Sequence, residues 1–383
     1  YYTVINIKTL KEIRNLISQE YFKDNDTPWI IAYSGGKDST LLLNLVLNEV
    51  LQKDKKSIKR KIYVVSNDTL VESPLIKDHL YSSVNKIDKF CKENQLPVIV
   101  HVSKPAFNKS FWVNLIGKGY PSPKSNFRWC TDRLKIEPTT NFILDQIENS
   151  GKAILLLGVR SAESATRAKT IKKNQSINEV YDNHRELKNC KTFSPIVNLT
   201  DDDVWTVLLQ SKPVWGGDFR ELITLYKNAG GDCPLVLSKD DSPSCGTSSP
   251  RFGCWTCTVV KKDKSMEGLI NSGKYEDVLE DLSDYRDWLI EIRDRSENRL
   301  PFSRRWKVRR RQNGTVMPGP MTLEIRKIML EKLLELESKT KMQLITDNEK
   351  EEIKRIWKRD HLVLDFLDYK NIKVVCGINE EIL

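Results

Sequence analysis

No stretch of this sequence approaches the ~20 consecutive apolar residues that a membrane-spanning helix needs, so we predict no transmembrane segment. The chain starts at Tyr1 with neither an initiator methionine nor the pattern of a signal peptide, and we expect a trimmed chain that works in the cytoplasm. Without a secretory signal, the eight cysteines indicate reduced thiols, metal ligands or catalytic groups, and they argue against disulfides.

The composition is that of a globular protein with an anionic partner. Hydrophobic residues make up 39% and charged residues 30% of the 383 positions, enough chain for two or three domains. The formal net charge is +10 and the sequence pI is near 9.0. A positive balance of this size favours nucleic acid or another polyanion as partner, without proving one.

A glycine-containing segment between a predicted strand and a predicted helix indicates a specific chemistry. A short apolar run ending at Tyr33 predicts a buried strand, and leucines and valines after Thr40 recur at helical spacing. Glycines between strand and helix bring backbone amides close to an anion, and the helix N-terminus adds unpaired N–H donors. The spacing is not that of a Walker A loop, and an ordinary glycine turn is the plainer alternative. The candidate phosphate-binding residues are Ser34, Gly35, Gly36, Lys37, Asp38 and Ser39.

Further strands are predicted at 61–66, 97–102 and 153–157, which indicates a doubly wound parallel α/β sheet. Ligands of such sheets bind beyond the carboxyl ends of the strands, so we expect Ser34, Asp68 and Gly158 to converge. Arg160 and Arg167 suit bidentate contacts with phosphate oxygens, and Glu163 is expected to orient one of them. The plainer alternative is a solvated, charged helix start.

A basic arm lies between the third and fourth predicted strands. Arg128, Arg133 and Lys135 flank Cys130 within eight residues and are candidate substrate-binding cations. Cations near a thiol lower its pKa, so Cys130 is a candidate nucleophile or sulfur carrier. A small buried hydrophobe is the alternative.

Together these segments resemble the phosphoadenosine phosphosulfate reductase superfamily of N-type ATP pyrophosphatases. The resemblance rests on the Ser-Gly-Gly-Lys-Asp-Ser loop, the Arg-Trp-Cys-Thr-x-x-Leu-Lys arm, the Gly-x-Arg-x-x-Glu-Ser turn and Phe193-Ser194-Pro195-Ile196. It implies cleavage of ATP between the α and β phosphates with Mg²⁺ present. By resemblance, the catalytic residues are Lys37, Asp38, Cys130 and Arg160, with Asp38 as the Mg²⁺ ligand.

Four cysteines fall in one loop-rich stretch. Cys254 and Cys257 form a Cys-x-x-Cys pair of the kind found in zinc and iron–sulfur sites, and Cys233 and Cys245 precede it. A single such pair with two lone cysteines favours a [4Fe–4S] cluster, while zinc and an unmetallated set stay open. Cys91, Cys190 and Cys376 are isolated and are predicted to be packing residues.

The loop followed by four cysteines also resembles the DndC family of DNA phosphorothioation, in which sulfur replaces a non-bridging oxygen of the DNA backbone. That resemblance implies ATP, Mg²⁺ and a [4Fe–4S] cluster as cofactors, and DNA as substrate. It implies a cysteine desulfurase (DndA or IscS-like) as sulfur source, DndD and DndE as complex partners, and a bacterial or archaeal cytoplasm. Adenylylsulfate reductases carry an adjacent Cys-Cys pair that is missing here.

A second basic run suits a nucleic-acid backbone. Phe302 and Trp306 are interleaved with cations, as in sites that combine charge with stacking. A solvated charge run, or arginines that hold ATP phosphates or a partner subunit, are the alternatives. The candidate DNA-binding residues here are Arg304, Arg305, Arg309, Arg310 and Arg311.

We predict three consecutive regions: an ATP pyrophosphatase domain over 1–229, a four-cysteine and basic region over 230–320, and a helical region over 321–383. Amphipathic helices are predicted over Thr322–Leu336 and from the capping box at Thr346. Three other functions stay open at this point: a tRNA thiolase, a sulfonucleotide reductase, and a DNA-binding scaffold that has lost catalysis.

Overall fold

The computed structural model describes residues 7–23, 26–163, 180–184, 186–229, 253–273 and 275–367. The chain separates into two compact units, each discontinuous in sequence. Unit 1 comprises Tyr1–Asn67, Pro74–Ser103 and Pro138–Phe252, and unit 2 comprises Asp68–Ser73, Lys104–Glu137 and Gly253–Leu383. The three consecutive regions expected from the sequence stay a prediction.

Unit 1 is built on a six-stranded sheet. Its strands are β1 Trp29–Ala32, β2 Ile62–Asn67, β3 Val98–Ser103, β4 Ala153–Leu156, β5 Asp182–Asn183 and β6 Cys190–Phe193. The spatial order is β3-β2-β1-β4-β6-β5, with β5 antiparallel to β6 and every other pair parallel. The register sets Ile30 between Tyr63 and Leu155, so β1 lies inside the sheet. The predicted α/β fold with a parallel sheet is confirmed.

Alternation along β1 divides the core between the two faces of the sheet. Trp29 and Ile31 pack in one cluster with the apolar side chains of the helix that begins at Lys37. Ile30 packs on the other face with Val65 and Leu155. Both faces of the sheet are therefore covered, as a doubly wound sheet requires.

The helices of unit 1 surround this sheet. Thr200 closes a capping box with Asp203 at the start of the helix Asp201–Gln210, as the sequence predicted. The helices are α1 Ile7–Tyr21, α2 Lys37–Leu51, α3 Pro74–Glu93, α5 Glu137–Ser150, α6 Asp201–Gln210 and α7 Arg220–Asn228, with 3-10 turns at Lys55–Ser57 and Ser161–Glu163.

Unit 2 is mainly helical. Trp112 donates from its indole Nε1 to the carbonyl of Leu344 (2.7 Å), and Trp357 donates to that of Ile116 (2.9 Å). The helices are α4 Trp129–Thr131, α8 Lys264–Ile270, α9 Glu276–Arg293, α10 Leu323–Thr340 and α11 Asp347–Phe366, with π-helical turns at Val113–Gly117 and Asp132–Ile136 and 3-10 turns at Phe107–Lys109 and Ser296–Asn298.

Both predicted C-terminal helices are present. Thr322 caps α10, and Thr346 forms a capping box with Glu349 at the start of α11. Cys91 and Cys190 are buried packing residues, as predicted, and Cys376 lies outside the described residues. None of the helices in the described part of the chain combines the length and apolarity needed to cross a membrane.

Candidate active site and cysteine site

The glycine loop of unit 1 joins β1 directly to α2. Gly35 has φ +74°, a left-handed conformation that favours glycine, and Gly36 is the N-cap residue without a side-chain cap. α2 begins at Lys37, so the orphan N–H groups of its first turn lie at this loop. The hydroxyl oxygens of Ser34 and Ser39 are 3.1 Å apart. The loop therefore has the backbone geometry of an anion site at a helix N-terminus.

Gly158 lies against the backbone of this loop. A β-carbon at position 158 would be 2.9 Å from the carbonyl carbon of Asp38 and 2.9 Å from the amide nitrogen of Ser39. Real β-carbons essentially never approach backbone atoms so closely, so only glycine fits here. The residue that follows β4 and the start of α2 therefore meet at Gly158.

Four charged side chains form one network beside the loop. Arg160 is fully buried and donates from Nε to Oδ1 of Asp38 (2.7 Å), from NH1 to the carbonyl of Leu199 (3.2 Å), and from NH2 to Asp201. Lys37 Nζ is 3.1 Å from Oδ1 of Asp201 and 3.6 Å from Oδ2 of Asp38. Burial alone would raise the pKa of the Asp201 carboxyl. The positive charges of Lys37 and Arg160 outweigh that effect, so this pKa is lowered. The two cations are thus held in fixed positions beside the first backbone amides of α2.

Tyr226 completes the surroundings of Lys37. Its hydroxyl accepts the backbone N–H of Lys37 (3.2 Å), and its ring lies 5.4 Å below the Lys37 ammonium. Burial raises the pKa of this phenol, so it stays protonated at neutral pH. A β-carbon on Gly36 would be 3.2 Å from the same hydroxyl, so a larger residue here would press on Tyr226.

His79 supports the loop from α3. Its Nε2 is 2.9 Å from the carbonyl oxygen of Gly35, and since a carbonyl can only accept, Nε2 carries the proton. Burial lowers the pKa of this imidazole, against the raising effect of the bond to Gly35. The neutral ring is therefore the form that supports the glycine turn.

His79 should make the folded protein less stable in mild acid. The unfolded imidazole takes up a proton near pH ~6.5, whereas the folded one resists, so the free energy of unfolding falls as the pH drops below that value. His79→Gln, which keeps an N–H donor, should change stability at pH 7.5 by no more than ~1 kcal/mol and flatten the acid slope. Urea unfolding at pH 7.5 and 5.5 measures both quantities.

Burial also lowers the pKa values of His101 and His184, so part of the slope remains in both proteins. An identical slope in wild type and His79→Gln would contradict the role given to His79.

The structure brings together most of the phosphate-site residues expected from sequence. Asp201, Tyr226 and His79 were not predicted, and only the acidic first turn after Thr200 hinted at one of them. Glu163 ends a 3-10 turn, and Arg167 lies outside the described residues. The predicted residues found together are Ser34, Gly35, Gly36, Lys37, Asp38, Ser39, Gly158 and Arg160.

Asp68 belongs to unit 2. It is buried, accepts the backbone N–H of Leu70 (2.8 Å), and lies 3.9 Å from the ammonium of Lys104. Its expected role in nucleotide binding stays a prediction.

A cysteine site lies within unit 2. The hydroxyl of Thr69 donates to Oε1 of Glu72 (2.9 Å) and is 3.2 Å from Sγ of Cys254, so the thiol is the donor toward Thr69. The Lys135 ammonium is 3.8 Å from the same Glu72 oxygen. Burial raises the pKa of the Cys254 thiol, so it stays protonated at neutral pH, and the Glu72 carboxylate is the anion that Lys135 faces. Thr69, Glu72 and Lys135 therefore form the surroundings of Cys254 within unit 2.

The turn that carries Cys254 and Cys257 is held by several contacts. The Cys257 N–H donates to the carbonyl of Cys254 (3.0 Å), and the N–H of Trp255 donates to that of Val71 (3.0 Å). Arg286 donates to the Cys257 carbonyl (2.8 Å). These contacts present both sulfurs on one turn.

The pKa expectation for Cys130 was wrong. Burial, and then the charge of Cys257, raise the pKa of this thiol, although Arg133 and Lys135 are close in sequence. Lys135 is directed to Glu72, and Arg133 lies 3.5 Å from Glu137, so their charges are shared with carboxylates. Arg128 is exposed.

The described residues contain two of the four predicted cysteine ligands. Cys233 and Cys245 fall outside them, and within the described ranges no three His, Cys, Asp or Glu side chains are grouped so as to hold a metal ion. The donors present, Cys254 and Cys257 on one turn, are of the type that iron and zinc prefer. The four-cysteine centre stays a prediction.

Three comparisons with known proteins bear on this site. A model of the phosphoadenosine phosphosulfate reductase domain matches residues 28–260. An uncharacterized protein of Methanocaldococcus jannaschii is 27% identical over 187 residues, which is 48% of this chain and 32% of that protein. The chain therefore spans about a third of the length of this curated relative.

Solved structures show weaker likeness. The phosphoadenylyl-sulfate reductase of Candida auris, in a phosphate complex, is 14% identical, with 54% of this chain and 87% of that chain covered and a TM-score of 0.32. The U34-tRNA thiolase NcsA of Methanococcus maripaludis, with its [4Fe–4S] cluster, is 13% identical, with 75% and 81% covered and a TM-score of 0.34. Likeness at this level adds nothing to the match over residues 28–260.

Proposed function

Because this chain belongs to the phosphoadenosine phosphosulfate reductase domain family, we propose that it is an ATP pyrophosphatase and sulfurtransferase that acts on DNA. It adenylates a backbone phosphate and so allows sulfur to replace a non-bridging oxygen. The observation that carries this proposal is the loop Ser34–Ser39 at the start of α2, with Lys37 and Arg160 fixed beside it. A loop of this kind can bind pyrophosphate and stabilise it as the leaving group.

In the first stage, a non-bridging oxygen of the DNA phosphate attacks the α-phosphorus of ATP. The bond between that phosphorus and the bridging oxygen to the β-phosphorus breaks, and pyrophosphate leaves. Lys37 and the first amides of α2 stabilise the charge that develops on pyrophosphate, so positioning and charge neutralisation supply the catalysis.

Asp38 would hold Mg²⁺ at this site. Carboxylate oxygens are the ligands that Mg²⁺ prefers, and the Asp38 side chain keeps 15% of its surface exposed. Its Oδ1 accepts a hydrogen bond from Arg160, while its Oδ2 lies 3.6 Å from the Lys37 ammonium. The ion supplies further neutralisation of phosphate charge when bound.

In the second stage, a sulfur nucleophile attacks the activated DNA phosphorus, and AMP leaves with the oxygen that it captured. If the sulfur arrives as a persulfide from a cysteine desulfurase, a second thiol must then attack the resulting P–S–S bond, which leaves a disulfide on the carrier. Cys130, the cysteine of the basic arm, is the proposed sulfur carrier. DndD and DndE are the proposed complex partners.

Anaerobic purification with iron and sulfide quantified, followed by assay of pyrophosphate release, tests this function. We expect AMP and pyrophosphate from ATP, and faster release when duplex DNA is present. ADP as the product would overturn the proposal. Release stimulated by tRNA and not by DNA would indicate a thiolase, and sulfite release from adenylyl sulfate with thioredoxin would indicate a reductase.

Cys254→Ser should bleach the broad absorbance near ~400 nm that sulfur-ligated iron gives. Cys254 and Cys257 lie on one turn, so loss of one thiolate removes half of the described donor pair. Cys91→Ser is the matched control, because Cys91 is a buried packing residue of unit 1 and not a predicted ligand, so this variant should keep the colour. Full absorbance in Cys254→Ser would show that Cys254 is not a ligand.

A further inference from the structure

The basic run of unit 2 is folded into a two-stranded ribbon. The N–H of Arg311 donates to the carbonyl of Thr315 (2.8 Å), and the N–H of Met317 donates to that of Arg309 (2.7 Å). Arg310 and Val316 form an antiparallel bridge between these bonds. We call residues 307–317 the basic ribbon.

A tight turn closes the tip of this ribbon. The N–H of Gly314 donates to the carbonyl of Arg311 (3.0 Å), and Gly314 has φ +81°. A glycine in this conformation is typical of short hairpin loops. Oδ1 of Asn313 accepts the N–H of Thr315 (3.2 Å), which braces the turn. The ribbon therefore has a defined backbone shape.

The base of the ribbon is anchored in unit 2. Arg304 donates with both terminal nitrogens to the carboxylate of Asp360 (2.6 and 3.2 Å), which is fully buried and also accepts from Arg326 (3.0 Å). A β-carbon on Gly319 would be 1.7 Å from the carbonyl oxygen of Phe302. Arg304 thus holds the ribbon in place, although the sequence grouped it with the DNA-contacting arginines.

The cations that follow Arg304 are exposed, and no acidic residue lies near them in the sequence. No aspartate or glutamate occurs from residue 298 to residue 323. Such a surface suits a polyphosphate, because each cation that meets a phosphate releases condensed counterions. The exposed cations are Arg305, Lys307, Arg309, Arg310 and Arg311.

The dimensions of the ribbon favour duplex DNA over duplex RNA and over single strands. Two strands lie about 4.8 Å apart, and with side chains they match the major groove of B-form DNA, which is about 12 Å wide and admits a two-stranded ribbon. The major groove of A-form RNA is too narrow for side chains to read. Single strands are held by aromatic platforms, and residues 307–317 contain no aromatic residue.

We propose that the basic ribbon enters the major groove of duplex DNA and places its arginines against the flanking phosphates. This inference rests on the proposed function for the identity of the substrate, and it names the element that holds that substrate. It also divides the basic run into an anchor, Arg304, and the contacting cations.

The test is an Arg309→Ala, Arg310→Ala and Arg311→Ala triple variant, measured by fluorescence anisotropy with a 20-base-pair duplex over a range of salt. We expect weaker binding to all duplex sequences, with the slope of log K against log [salt] reduced by about 3. The triple variant Arg309→Lys, Arg310→Lys and Arg311→Lys should keep the wild-type slope. This comparison separates the effect of lost charge from that of lost folding. The control removes three exposed lysines elsewhere in unit 2, through Lys327→Ala, Lys354→Ala and Lys358→Ala, and should keep the wild-type slope.

Dimethyl sulfate footprinting locates the groove, because it modifies guanine N7 in the major groove and adenine N3 in the minor groove. We expect protection of guanine N7 by wild type and not by the alanine triple. Protection of adenine N3 alone, or equally tight binding of an RNA duplex, would overturn the proposal.

Pyrophosphate release without DNA separates this inference from the proposed function. Wild type and the alanine triple are both assayed for AMP and pyrophosphate. If neither wild type nor the alanine triple cleaves ATP, but only the triple has lost its binding to duplex DNA, the ribbon proposal stands and the proposed function fails. If both cleave ATP and both bind DNA equally, the ribbon proposal is wrong.

Discussion

Lys37→Ala should lower the rate of pyrophosphate release by about 100- to 1,000-fold, the usual cost of removing one preorganised group that stabilises developing charge. The Lys37 ammonium is buried, lies over the ring of Tyr226, and is 3.1 Å from Asp201. It is therefore held in place before ATP binds, so little free energy is needed to reorganise it during the reaction. A coupled assay of pyrophosphate under single-turnover conditions measures the effect.

Lys89→Ala is the matched control for this variant. It removes the same charge from unit 1, but the Lys89 side chain is 77% exposed and pairs only weakly with Glu93 (3.9 Å). We expect wild-type rates from it. The fold of Lys37→Ala should persist, because Asp38 and Asp201 keep their bonds to Arg160. An unchanged rate in Lys37→Ala would remove the lysine from the reaction.

Gly158→Ala should abolish most of the ATP-dependent activity with only a moderate loss of stability. The new methyl group would lie 2.9 Å from two backbone atoms of the Asp38–Ser39 segment, so either β4 or the first turn of α2 must move. Overpacking of this kind costs about 1–3 kcal/mol. A shift of about 1 Å in a positioned site can cost 100-fold in rate. Urea unfolding and the pyrophosphate assay measure the two effects on one sample.

Gly151→Ala offers a control at the other end of β4. Gly151 has φ +76°, so alanine strains its backbone, but nothing lies within 4 Å of the added carbon. We expect some loss of stability with the rate of pyrophosphate release retained. Equal rates for Gly158→Ala and Gly151→Ala would show that the approach of Gly158 to the loop is not needed for catalysis.

The order of strand, loop and helix at the active site was predictable, because each signal is local. The apolar run of β1, the two glycines and the leucines after Thr40 act within a few residues of one another. The capping boxes at Thr200 and Thr346 were read in the same way, and both are present. Parallel pairing then follows, because short buried strands alternate with helices.

The partners of the charged groups were not predictable in the same way. Arg160 was expected to bind phosphate directly, yet its guanidinium is shared between Asp38 and Asp201, which are 122 and 41 residues away. The acceptor for the Lys37 N–H is Tyr226, 189 residues away. Nothing in the spacing of a sequence encodes such pairs, because they form only when separate elements pack.

The basic and cysteine segments show the same division. Clustered arginines predicted a polyanion surface, but only the bond between Arg304 and Asp360 distinguishes an anchor from the exposed cations. Cations near Cys130 predicted a lowered pKa, but burial and the neighbouring Cys257 reverse the direction. Local pattern alone determined the elements of this protein, its glycine loop and its supply of thiols and cations. Packing decided which charges meet and which stay exposed, because the energy of a charge depends on neighbours and on solvent that only the folded chain defines.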